Sequence, residues 1–176
     1  MRDRDGKAFS FQLIIAATPQ EITDRMAAWA QESLRRIGVL MTIEKLEWRA
    51  FQERRREHRF QAAMASLSFT PVPDQFELYH STSRDHGLNY VGFRDEEADR
   101  LLVLGRQTFD PAERRDVYHR LQQRLHELEP ISVLFHFAAP VLYDARLEGL
   151  EPSPRGLWLI TPGPRQWRWT AHANRG

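Results

Sequence analysis

Two helix starts in the middle of the chain constrain its fold more than any other feature. Asp95 stands before Glu96 and Glu97, and Asp110 is followed by Pro111 and then by Glu113. An aspartate accepts from the free N–H groups of a first turn, and a proline at the first helical position has no N–H to leave unbonded. Behind these starts, Ala98, Leu101 and Leu102 share one helical face, and Val117, Leu121, Leu125 and Leu128 share another, so both helices are expected to lie on a core. The first third of the chain alternates differently. Phe9 to Ala17 is an apolar run of strand length. Gln20 to Ile37 carries Ile22, Met26, Ala27, Trp29, Ala30, Leu34 and Ile37 at helical spacing, with Gly38 as its C-cap. Val39 to Leu46 reads as a second strand, Trp48 to His58 as a helix anchored by Phe51, and Phe60 to Phe69 as a third strand closed by Pro71 and Pro73. Strands separated by helices at these intervals predict an α/β fold, a mixed sheet flanked by helices. Ile131 to Phe137 and Val141 to Asp144 are expected as further strands. Gly149, Pro152, Pro154, Gly156, Pro162 and Pro164 make Leu150 to Arg165 a loop-rich tail.

Composition removes several classes of function. At 176 residues the chain suits one domain, and a net charge of +1 with 28% charged residues selects neither for nucleic acid nor for an anionic surface. No cysteine is present, which excludes disulfides and thiolate metal sites. No window is apolar enough to span a bilayer, and the charged start Met1-Arg2-Asp3-Arg4-Asp5-Gly6-Lys7 lacks a signal peptide's apolar stretch. The chain as written is thus expected not to be exported. The basic run Arg54 to Arg59 is interrupted by Glu57 and lies at a helix end, where cations are favoured, so a solvated helix end is preferred over a phosphate grip. His119 and His126 are two turns apart, about 10 Å along a helix, too far for one ion, and His80 and His86 form no close ligand pair. Ser66 and Ser68 sit in no nucleophile elbow. Neither a metal, a cofactor nor catalysis is expected.

The order of motifs carries more. An N-Y-x-G-F turn (Asn89 to Phe93) is followed by D-R-L-L (Asp99 to Leu102). Next comes F-D-P-x-E-R-R-x-x-Y-H-R-L-Q-x-x-L-H-E-x-x-P (Phe109 to Pro130), then an apolar run. D-R-D-G-K lies upstream and R-L-x-G-L-x-P-S-P-x-G-L downstream. No piece is specific alone, but the ordered set, which covers nearly the whole chain, resembles the C-terminal part of the family 5 extracellular solute-binding proteins, the dipeptide, oligopeptide and nickel receptors of ABC importers. The resemblance implies a lobe of the type II periplasmic-binding-protein fold. It implies half of a cleft for a peptide-like or other small polar solute, an ABC permease as partner, and a periplasmic or extracytoplasmic location. It also implies that the chain is a lobe-sized fragment, with residues 1–145 the second lobe and 146–176 a tail that would cross back to the first. The alternative is an interaction module that binds no solute and self-associates as a homodimer through its orphaned tail, where Leu157, Trp158, Leu159 and Ile160 form an apolar run near Trp167 and Trp169.

The segment from Phe69 to Asn89 is the candidate ligand-facing loop. It follows a strand at the C-terminal edge of the expected sheet, where open α/β folds bind ligands. Its candidate ligand-binding residues are Phe69, Phe76, Tyr79, His80 and Asn89; Phe76, Leu78 and Tyr79 can equally pack a short helix begun by Asp74. Peptide-binding members of the family carry an aspartate, shortly before the P-D-x-F segment, that holds the peptide's α-amino group. Aligning on Pro73-Asp74-Gln75-Phe76 places Phe69 there. A phenyl ring offers an ammonium only a cation–π contact of about 0.5–2 kcal/mol, so the resemblance implies a ligand without an obligatory free N-terminus. A sugar, an opine-like or modified amino compound, or a blocked peptide would qualify.

Overall fold

The computed structural model describes residues 3–4, 7–19, 21–67, 73–136, 142–150 and 166–170, which fall into two compact units. The larger unit comprises residues 1–68 and 73–131. It opens with a two-residue antiparallel ladder, β1 (Asp3–Arg4) on β2 (Lys7–Ala8). Then follow β3 (Ser10–Ala16), α1 (Glu21–Arg36), β4 (Leu40–Leu46), α2 (Trp48–Arg56) and β5 (Ala62–Met64). β3 is the central strand, parallel to β4 from Ser10↔Leu40 to Ala16↔Leu46 and to β5 from Leu13↔Ala62 to Ile15↔Met64.

A central parallel strand is covered on both faces, which is why Leu13, Ile14, Ile15 and Ala16 are all buried in one unbroken apolar run. The pleat then sorts them. Leu13 and Ile15 pack with Met41 and with Ala27 of α1, while Ile14 and Ala16 pack with Phe51 of α2. The same alternation sorts the charges on β4: Lys45 bonds Asp24 of α1 at 2.6 Å, and its neighbour Glu44 takes both ends of the Arg54 guanidinium of α2. The sheet is therefore a three-layer α/β unit in which the described strands all run parallel. Trp29, counted in the apolar stripe of α1, points outward at 70% exposure.

Helix ends follow local chemistry. Gly38 has φ +81°, and the N–H groups of Gly38 and Val39 return to Arg35 and Leu34, a Schellman closure that favours glycine. The Glu47 carboxylate accepts from the N–H groups of Arg49 and Ala50 to start α2.

After β5 come the short helices α3 (Phe76–Tyr79) and α4 (Ser83–His86), then the long pair α5 (Glu96–Gln107) and α6 (Pro111–Leu128). Both expected caps are in place. Asp95 Oδ1 accepts from Ala98 N at 2.9 Å, and Asp110 Oδ1 accepts from Ala112 N and Glu113 N at 2.9 Å. Asp95 also takes a two-pronged bond from Arg124 of α6, and this guanidinium holds its carboxyl below the usual range. The pair is closed by Ala98, Leu101, Leu102, Val117, Tyr118 and Leu121. At Gly105 a Cβ would lie 2.9 Å from Tyr118 Cζ, so the absence of a side chain admits the tyrosine ring between the helices.

The smaller unit comprises residues 69–72 and 132–176. It shows a two-residue antiparallel ladder, β6 (Leu147–Glu148) on β7 (Arg168–Trp169), with the Arg146 guanidinium 5.5 Å from the Trp169 ring. Two expected strands are corrected here: residues 131–136 and 142–144 belong to no ladder, and Phe137 to Val141 lie outside the described residues. An apolar run becomes a strand only when a neighbour takes its N–H and C=O groups. Here Val133 and Leu134 are more than half exposed. The third expected strand, Phe60 to Phe69, is shortened to Ala62–Met64; Ser68 to Val72 are not described, nor are Leu157 to Ile160 of the tail.

Candidate ligand-facing segment

The segment from Pro73 to Arg94 is folded onto the α5–α6 pair rather than left as an open loop. Asp74 begins it: one carboxylate oxygen accepts from Phe76 N at 3.0 Å, and the other accepts from Arg106 Nε at 2.9 Å. That second bond lays the Arg106 guanidinium 3.8 Å from the centre of the Phe76 ring, while the His80 ring stacks 4.0 Å from the same centre. Two groups that close to one ring occupy opposite faces, so both faces of Phe76 are taken. His80 Nδ1 accepts from Thr82 N at 3.2 Å and lies 2.8 Å from Thr82 Oγ1. In the neutral ring the proton therefore sits on Nε2. Tyr79 is half-buried, edge-on to Phe93 at 6.1 Å, and burial pushes its phenol up.

Asn89 is completely buried and wholly spent. Its Nδ2 donates to His80 O at 3.1 Å and Phe93 O at 2.9 Å, and its Oδ1 accepts from Phe93 N at 2.9 Å. Together with Gly92 at φ +66°, these bonds explain the N-Y-x-G-F pattern as a turn built around one amide. Ser81 adds a tie to α5, bonding Asp99 through both N–H and hydroxyl. Of the five candidate residues, the structure thus groups Phe76, Tyr79, His80 and Asn89 in one segment and leaves only the outer parts of His80 and Tyr79 free to meet a ligand. Phe69 is outside the described residues.

Sequence reasoning missed Arg55 and His58. Of the basic run, Arg54 pairs with Glu44 and Arg59 with Glu57. Arg55, in contrast, is buried, its guanidinium over the rings of Phe51 at 5.3 Å and Tyr90 at 4.2 Å, and burial lowers its pKa. His58 closes α2 at φ +54° and sets Nδ1 2.8 Å from Tyr90 O and Nε2 3.2 Å from Arg84 O. Phe51 is local to Arg55, but Tyr90 and Arg84 lie 26 to 35 residues along the chain, so no local signal announces these contacts. Among the described residues no group of three or more His, Asp or Glu could hold a metal ion, and no helix is long and apolar enough to cross a membrane.

No family model matches the chain. The oligopeptide-binding protein AppA of Bacillus subtilis is 30% identical over 157 residues, 87% of this chain and 28% of its own length. Its structure in complex with a nonapeptide superposes with a TM-score of 0.73 at 27% identity, over 96% of this chain and 33% of that one. This chain belongs to the family 5 extracellular solute-binding proteins. A second member, the peptidoglycan-binding protein YepA of Agrobacterium fabrum, is 30% identical over 138 residues, 74% of this chain and 22% of its own. The dipeptide-binding protein of Pseudoalteromonas sp. SM9913 in complex with Met-Leu gives a TM-score of 0.64 at 28% identity, covering 71% of this chain and 26% of that one. The chain thus spans a third or less of the family 5 proteins it matches. Its α/β fold is that of a lobe of type II periplasmic binding proteins. These family 5 relatives are binding proteins, not enzymes.

Proposed function

We propose that this chain supplies one half of the solute cleft of an ABC importer's extracytoplasmic receptor, the solute being peptide-like or another small polar compound handed to a membrane permease. The observation that carries the reading is the continuous likeness to AppA over almost the whole chain. On this reading residues 1–145 act as the lobe and residues 146–176 as the arm that returns to the other lobe. Phe69, Tyr79 and His80 face the solute. Phe76 and Asn89 shape the segment instead, since their faces and polar groups are already used.

With phenylalanine at the place of the amine-holding aspartate, the solute needs no free N-terminus. The test combines the chain with its complementary lobe and titrates free and N-acetylated dipeptides by calorimetry. Acetylation is expected to change the affinity by less than about tenfold, a difference of about 1.4 kcal/mol. Loss of about a hundredfold or more on acetylation would show an anchored amine and defeat the reading.

A second reading is favoured by the smaller unit, where Val133, Leu134, Leu142 and Tyr143 are all more than half exposed. Apolar surface of this kind marks an interface, and self-association through it makes the chain a homodimer. Light scattering should give a dimer mass for the full chain and a monomer mass for a variant in which Val133, Leu134, Leu142 and Tyr143 are all changed to serine. Equal monomer masses would reject it.

A further inference from the structure

Among the described residues two buried side-chain atoms have no hydrogen-bond partner, Arg114 Nε and the Tyr118 hydroxyl, and both belong to residues lining one cavity of about 380 Å³ beside the α5–α6 turn. A sealed donor without an acceptor has given up its hydration for nothing, and native structures hold few such groups. Two on one wall call for an acceptor that enters the cavity. The Tyr118 ring lines this cavity and packs on Gly105, where a Cβ would lie 2.9 Å from its Cζ and 3.0 Å from its hydroxyl.

The rest of the lining describes the molecule that brings this acceptor. Phe109, 93% exposed, stands at the cavity with Pro73 and Pro111 as further apolar wall. Arg115 and His119 join Arg114 on the polar side, and among the described residues no aspartate or glutamate lines it. The carboxylate nearest Arg115 is Asp116, 3.9 Å away with both side chains largely exposed. The cavity therefore offers cations, unused donors and an uncovered aromatic ring.

We propose that this cavity binds a carboxylate carrying an apolar group, the chemistry shared by an N-acyl amino acid and the last residue of a peptide. The carboxylate accepts from Arg114 and Tyr118, and the apolar group covers Phe109 between the two prolines. Both donors are sealed from solvent, so the carboxylate reaches them by moving the long Arg114 side chain. The proposal does not rest on the receptor reading.

Calorimetry with the full chain tests it, using N-acetyl-L-phenylalanine and its amide at equal ionic strength. The acid is expected to bind about tenfold or more tightly than the amide, since hydrogen bonds to a charged group are the stronger kind. Arg114→Met should cost about tenfold, and Phe109→Ala, at a position too exposed to affect folding, about fivefold. Tyr118→Phe should weaken the acid several-fold while raising the melting temperature of the unliganded chain, because it deletes an unpaired buried hydroxyl. Acetyl-Ala-Ala-Phe separates the two sources: tighter binding than acetyl-phenylalanine assigns the site to a peptide end, weaker binding to an acyl amino acid. Equal heats from acid and amide would overturn the proposal. So would acid binding that survives both Arg114→Met and Phe109→Ala, or a lower melting temperature for Tyr118→Phe.

Discussion

Asn89→Ala is expected to destabilise the chain by about 3–5 kcal/mol in urea unfolding. The side chain is fully buried and bonds His80 O, Phe93 O and Phe93 N. Alanine removes both donors and the acceptor together, leaving three backbone groups to find new partners inside the fold. Each such group costs about 1–3 kcal/mol when it finds none. Asn89→Asp should do no better. It keeps an acceptor for Phe93 N but turns a negative oxygen toward the two carbonyls that the amide served. The damage would spread from there to the orientation of His80, whose carbonyl Asn89 holds. A loss below about 1 kcal/mol for Asn89→Ala would show that the turn is held by other bonds.

Phe51→Ala is expected to cost about 4–5 kcal/mol by the same measurement, combining the usual loss for a buried phenylalanine with a cation–π contact. Phe51 is 1% exposed and closes the face of β3 formed by Ile14 and Ala16. It also forms one of the two rings against the Arg55 guanidinium. Truncating it opens a void and leaves a buried cation with a single ring. Phe51→Leu should retain most of the packing and cost about 1–1.5 kcal/mol. Trp29→Ala, larger by volume but on an exposed face, should stay within about 0.5 kcal/mol of the parent. Domain stabilities are about 5–15 kcal/mol, so Phe51→Ala alone could leave much of the chain unfolded. A cost near that of Phe51→Leu would mean that α2 collapses onto the gap.

What the sequence made legible was what neighbouring residues decide. Asp95, Asp110, Pro111 and Gly38 act within one helical turn: α5 starts directly after Asp95, α6 starts at Pro111, and α1 ends two residues before Gly38. The apolar run Phe9 to Ala17 likewise marked a strand, β3 (Ser10–Ala16). Ile131 to Phe137 had the same apolar character, but hydrophobicity alone does not make a strand, and residues 131–136 are not one. The packing inside the candidate segment depends on residues distant in the chain. That Phe76 is sandwiched depends on Arg106, and Arg106 lies 30 residues further on. Asn89 could have been read more closely, because an asparagine three residues before a glycine is a turn signal before it is a ligand group. Arg55 and His58 looked like two more charges at a frayed helix end. Arg55 is buried and His58 half-buried, and Tyr90 and Arg84, which they reach, lie outside that helix.

The His58 bridge has a consequence for the order of folding. α5 and α6 are consecutive and joined by a short turn, so their contacts close small loops and can form within a fast, local event. The sheet layer also assembles from adjacent elements, β3 through β5. His58, in contrast, reaches Arg84 O and Tyr90 O across 26 and 32 residues, and Arg55 reaches the same tyrosine's ring. These contacts cannot exist until both neighbourhoods are formed and have met. They belong to the late side of the transition state, where a weakened contact speeds unfolding and leaves the folding rate nearly unchanged. Weakening the His58 bridge is therefore expected to shorten the lifetime of the folded state more than it slows folding.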